Sequence, residues 1–160
     1  MGTSTPDSTA STRLKPVLDL AREEANLRGD RRIGTDHLLL ALLHDDTAPP
    51  ARALGVTLAD GRDALASLDR DALASLGIHL DGPLAPPPVR GQRRLPFNSA
   101  ARGAILAAKH EAEHERRGRR IEPRHLLLAL LPARHPDPAA DLLAALHLPP
   151  SSIRTRLASC

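Results

Sequence analysis

Aromatic side chains are almost missing from this 160-residue chain, which has one Phe and no Tyr or Trp. Valine and isoleucine are scarce as well, at three and five, against 29 Leu and 26 Ala. Strands favour β-branched and aromatic residues, whereas Leu and Ala are strong helix formers. The composition therefore argues against a β-sandwich or a doubly wound sheet and predicts an all-α fold. Long apolar runs are missing too: the longest, as at residues 38–43, is six residues, against roughly 20 for a bilayer-spanning helix. The single cysteine, Cys160, cannot close an intramolecular disulfide, which agrees with a reducing compartment. The opening MGTSTPDSTASTR is polar, with no apolar core after a basic start. It reads as a tail, disordered over residues 1–9, and the chain is expected in the cytoplasm.

Lysine is nearly replaced by arginine, twenty Arg to two Lys, for a formal net charge of +3. The arginines gather at Arg90, Arg93 and Arg94 and again at Arg116, Arg117, Arg119 and Arg120. Such clusters raise the question of nucleic acid. Single-strand readers, however, interleave aromatics for base stacking, and Phe97 stands alone. Solvated basic loops are the expected reading, and weak nucleic-acid binding is kept as an alternative.

What the chain does have is an internal repeat. IGTDHLLLALL at residues 33–43 and IEPRHLLLALL at 121–131 agree at eight of eleven positions. Upstream of each lies a further match, around the AREEA of residues 21–25 and the AKHEA of 108–112. Thr35 after Gly34 suits an N-cap, with Asp36 in the first turn complementing the helix dipole. In the second copy Pro123 follows Glu122 and suits the first helical position. HLLLALL is apolar nearly all round, the mark of a helix buried on most faces. Apolar spacing predicts flanking helices at about 13–28 and 98–116, then 48–54 and 58–68 in copy one and 137–146 and 150–158 in copy two. Another short helix is expected within 69–78. The Pro/Gly/Arg stretch at 81–95 cannot be a regular helix and divides a first unit, 10–80, from a second, 96–158.

The double repeat, its GTDHLLLALL segment, the preceding EEA helix and the LPF lead-in to copy two resemble the Clp N-terminal domain. This is the substrate- and adaptor-receiving domain of ClpA/ClpC-type AAA+ unfoldases. The resemblance covers about residues 10–158 and implies a compact eight-helix bundle of two four-helix repeats related by a pseudo-two-fold axis. No G-x-x-x-x-G-K-[ST] occurs, so no Walker-type phosphate loop is present. The expectation is a stand-alone, non-enzymatic binding module without cofactor or metal. The resemblance further implies recognition of phosphoarginine on client proteins, through an acidic residue in the GT(E)H turn and a hydroxyl at the start of the first helix. Carried over, these are Asp36 and Ser11, with Arg124 and Asn98 at the matching places of copy two. Arg124 reverses the charge expected of a guanidinium partner, so the second site is expected to be lost or to read a free anion. Phe97, exposed near the groove, and Arg102 are implied contacts for adaptors or cyclic-peptide antibiotics, and a Clp ATPase is an implied partner.

One motif points elsewhere. The segment HEAEH at 110–114 satisfies H-E-x-x-H, which on a helix sets two imidazoles on one face with Glu111 as general base. A zinc metallohydrolase is therefore the alternative enzyme reading. Against it, copy one carries Arg22, Glu23, Glu24, Ala25 and Asn26 at these places, charged neighbours mark a solvated helix, and the spacing supplies no clear third ligand. His37 and His125 recur at one position of both central helices, so a shared structural role is expected, with ring N–H groups on backbone carbonyls. Ser151 and Ser152 are expected to cap the last helix.

Overall fold

The computed structural model describes residues 13–83, 94–115 and 120–160. Among them are eight helices: α1 (Leu14–Arg28), α2 (Thr35–Leu42), α3 (Pro49–Leu54), α4 (Leu58–Ser75), α5 (Ser99–Glu113), α6 (Pro123–Leu130), α7 (Pro138–Ala145) and α8 (Pro150–Ala158). The expected 69–78 helix is absorbed into α4, because residues 58–75 contain no proline and only one glycine to interrupt them. Helix α5 stops at Glu113, short of the expected residue 116. The predicted tail, Ser11, most of the linker and Arg90, Arg93, Arg116, Arg117 and Arg119 lie outside the described residues.

The ends of the helices follow from local chemistry. Helix α1 stops at Gly29, whose φ of +76° is left-handed, and the Gly29 N–H donates to the carbonyls of Ala25 and Asn26. Proline opens α3, α6, α7 and α8 at the first turn, where its missing N–H costs nothing. Thr57 caps α4 reciprocally: its hydroxyl accepts from the Asp60 N–H at 3.1 Å, and Asp60 Oδ2 accepts from the Thr57 N–H at 2.9 Å. Two expected caps differ. Ser151 and Ser152 lie inside α8, whose N-cap is Pro149 with no side-chain bond. The N-cap of α2 is Gly34, and Thr35 is the first residue of the helix. Its hydroxyl instead crosses to the other repeat, donating to Asp137 Oδ1 at 2.8 Å and accepting from the Ala139 N–H at 3.2 Å.

All eight residues of α2 are buried, and α6 meets it in the centre with Leu126, Leu127 and Leu130 inside. Each Leu taken fully out of water stabilises the fold by roughly 1.5–3 kcal/mol. Alanines 21 and 25 on α1, and 101, 104, 108 and 112 on α5, let those helices lie close against the centre. Helix α1 packs on α2 and α5 on α6, but the later helices exchange partners: α3 packs on α8 and α4 on α7. Each repeat thus closes its core with helices of the other.

Two further ties matter for the site. Ile33 and Phe97 form a parallel bridge, with the Ile33 N–H donating to the Pro96 carbonyl and the Asn98 N–H to the Ile33 carbonyl, both at 2.9 Å. In the first repeat, Glu24 is 1% exposed. Its carboxylate receives Arg62 through Nη2 at 2.6 Å and Nε at 3.2 Å, and His44 Nε2 at 2.7 Å, joining α1, the end of α2 and α4.

Candidate functional site

The start of each central helix is built around a histidine. His37 Nδ1 accepts from the Gly34 N–H at 2.9 Å, and His37 Nε2 lies 2.8 Å from Asp30 Oδ2. A backbone N–H can only donate, so the neutral ring carries its proton on Nε2 and gives it to Asp30. His125 repeats the backbone half of this, with Nδ1 accepting from the Glu122 N–H at 2.9 Å, while its buried Nε2 stands 3.0 Å from Glu115 Oε2 without hydrogen-bond geometry. Histidine thus fills the place that Glu or Gln holds in an ordinary capping box. The shared structural role holds, but the partners are carboxylates and amide N–H groups rather than backbone carbonyls. The hydrogen bond from His37, with Arg28, holds the Asp30 carboxyl below its usual range despite partial burial. His125, with Arg124, does the same for Glu115.

Asp36, at the second position of α2, is 7% exposed. Among the described residues no hydrogen bond reaches its carboxylate; Oδ1 stands 3.5 Å from His37 Nδ1, whose lone pair already receives the Gly34 N–H. The carboxylate lies over the Cα of Gly34. A Cβ there would sit 2.5 Å from Asp36 Oδ1 and 3.3 Å from Asn98 Nδ2. Asn98 belongs to the other repeat, where it caps α5 by accepting from the Ala101 N–H at 2.8 Å through Oδ1. Its amide nitrogen therefore faces the same Gly34 as the Asp36 carboxylate, brought there by the Ile33–Phe97 bridge.

The residues chosen from the sequence are thus regrouped. Asp36 and Asn98, assigned to separate copies of a site, flank one glycine at the repeat junction. Phe97 adjoins them half-buried against the core rather than fully exposed. Arg102, one turn into α5, is exposed and makes no ion pair with a described residue. Ser11 falls outside the described residues.

In the second repeat Glu122 stands where the first has Gly34, and Arg124 where it has Asp36. The Arg124 guanidinium donates to Glu122 Oε2 at 2.8 Å and also to Glu115, which raises its pKa further. Arg124 is therefore committed to internal carboxylates, a closed ion-pair cluster in place of an open carboxylate, and not a cation free to receive an anion. Sequence reasoning missed Asp30 and Glu115 as histidine partners. They reach homologous rings from non-homologous positions, one from the loop after α1 and the other from beyond the end of α5.

Among the described residues, one group of three possible metal ligands comes together: Asp30, Asp36 and His37. It is a poor metal centre, since both nitrogens of the ring are engaged by the Gly34 N–H and Asp30. The HEAEH segment lies on the exposed side of α5, with His110, Glu111, Glu113 and His114 all open to solvent. The half-buried cleft a catalytic zinc helix occupies is missing around them. No helix among the described residues is long and apolar enough to cross a membrane.

The family model of the Clp repeat (R) N-terminal domain matches residues 2–68. The fold matches the crystal structure of the N-terminal domain of the caseinolytic protease associated chaperone ClpD from Arabidopsis thaliana, with a TM-score of 0.71. That match covers 92% of this chain and 93% of that one at 20% identity. No curated protein matches in sequence. The chain therefore has the fold of a Clp N-terminal domain, and its residues 2–68 match that family's model.

Proposed function

We propose that the chain is a non-enzymatic receiving module of regulated proteolysis, and that its ligand enters at the repeat junction beside Asp36. The observation that carries this is the Asp36 carboxylate, which belongs to a largely buried residue at the start of α2, has no hydrogen bond from a described residue, and keeps its oxygens in reach of solvent. A carboxylate reachable from solvent but given no donor by the fold suits a ligand that brings its own donors. A guanidinium is the fitting one, because its planar fork offers paired donors to a carboxylate. Next to it, the Asn98 amide and the first N–H groups of α5 offer donors to an anion, and Arg102 adds positive charge. A phosphoarginine side chain presents both features, guanidinium and phosphoryl, on one ligand. The half-buried Phe97 gives an apolar wall suited to an adaptor or a cyclic peptide.

Clients carrying phosphoarginine, Clp adaptors or a Clp ATPase are the partners this reading names, with the module acting as adaptor or sequestering decoy in the cytoplasm. An amide-resolved NMR titration with free phosphoarginine, with arginine and phosphate as controls, tests it. Saturable shifts at residues 34–37 and 98–102, abolished in Asp36→Asn, are expected. An unperturbed spectrum at millimolar ligand, or equal shifts in the variant, would falsify the guanidinium assignment.

A further inference from the structure

The two histidines of HEAEH are unused by this reading and sit at the opposite end of α5 from Asn98. Helix α5 runs Ser99–Glu113, and His114 keeps helical angles, φ −79° and ψ −12°, with its N–H donating to the His110 carbonyl at 3.2 Å. His110 and His114 therefore stand one turn apart on one face, where i and i+4 side chains are neighbours. His114 Nδ1 lies 2.7 Å from the His110 carbonyl oxygen, which can only accept. The ring proton is thus on Nδ1, and the Nε2 lone pair of His114 is directed away from the helix. His110 turns its own Nδ1 toward Glu113 Oε2 at 3.6 Å, and its side chain is 63% exposed. That contact is too long for a hydrogen bond, so the exposed His110 ring is free to turn its Nε2 toward a bound ion. Occupying Nδ1 with a carbonyl or carboxylate so that Nε2 can bind is how metal-ligating imidazoles are generally oriented.

We infer that His110 and His114 form a bidentate surface site for a borderline divalent transition-metal ion of the Cu²⁺ or Zn²⁺ class. The two Nε2 atoms are the ligands, and water completes the shell. Imidazole pairs select such ions over Mg²⁺ or Ca²⁺, which prefer oxygen. The site is confined to the second repeat, because α1 of the first repeat carries no histidine. It is a binding site and not the catalytic centre the motif alone suggests.

Isothermal titration of the whole chain with CuCl₂ and with ZnCl₂ in a non-coordinating buffer tests this, on wild type, His110→Ala, His114→Ala and His135→Ala. The three histidines are exposed, so the variants are expected to fold, which far-UV circular dichroism verifies. One ion per chain is expected, with affinity falling roughly tenfold or more in each of the first two variants and unchanged in the third. Affinity retained in either His110→Ala or His114→Ala, or no saturable binding by wild type, overturns the site.

Discussion

Thr35 of α2 and Asp137 at the start of α7 share a hydrogen bond of 2.8 Å across the repeat junction, and the same hydroxyl accepts from the Ala139 N–H. One side chain therefore helps to cap a helix of the other repeat while sitting in the first turn of its own. Thr35→Val keeps the shape and removes both bonds in a 2% exposed position. A loss of about 1–2 kcal/mol is expected in urea unfolding, with little change in the slope against denaturant.

Glu24 sets a pH dependence. Burial pushes its carboxyl up, but the hydrogen bonds and charges of Arg62 and His44 outweigh this and bring it below its ordinary 4.5. Asp30, held by His37, is likewise below its ordinary 3.8. A carboxyl depressed in the folded state stabilises the fold fully above its unfolded pKa and loses that contribution as pH falls through the folded value. The unfolding free energy is expected to decline on acidification below about pH 4.5. Glu24→Gln should flatten that decline and lower stability at pH 7, both measurable by denaturant titration at a series of pH values.

Gly34 leaves room for the Asp36 carboxylate. Its backbone angles, φ −103° and ψ 179°, suit any residue, so Gly34→Ala should fold normally. The new methyl nevertheless meets Asp36 Oδ1 and must turn that carboxylate aside. We expect a change in stability within about 1 kcal/mol, with ligand shifts weakened as much as in Asp36→Asn. Preserved binding in Gly34→Ala would show that the carboxylate position over Gly34 is unimportant.

Asp36→Asn should itself cost little. It forfeits a favourable charge at a helix N-terminus, worth about 0.3–1 kcal/mol, and breaks no hydrogen bond to a described residue. A melting temperature near wild type, together with loss of phosphoarginine shifts, is the expected pair of outcomes. A large drop in melting temperature would make Asp36 a structural residue.

The all-helical class, the duplication and the two central helices were legible from Leu and Ala abundance and the repeated HLLLALL. The helix start at Pro123 was legible too, since proline acts through its own ring and needs no distant partner. Sequence reading faltered where the partner lies far along the chain. Thr35 looked like a local cap because its bond to Asp137 spans the two repeats, and the carboxylates serving His37 and His125 come from unmatched positions. The nearness of Asn98 to Asp36 depends on the Ile33–Phe97 bridge, a single backbone pairing with no local signature.

The exchange of partners among the later helices, α3 with α8 and α4 with α7, has the geometry of an isologous dimer whose two subunits have become one chain. Half of such a molecule has no complete interior of its own. Residues 1–90 expressed alone are therefore expected to be helical only as a homodimer, a mass that sedimentation equilibrium reads directly. Once the subunits are fused, each copy of a surface is free to change without its twin. That is how one helix start can keep an open carboxylate at Asp36 while its counterpart, Arg124, is locked in a salt-bridge cluster.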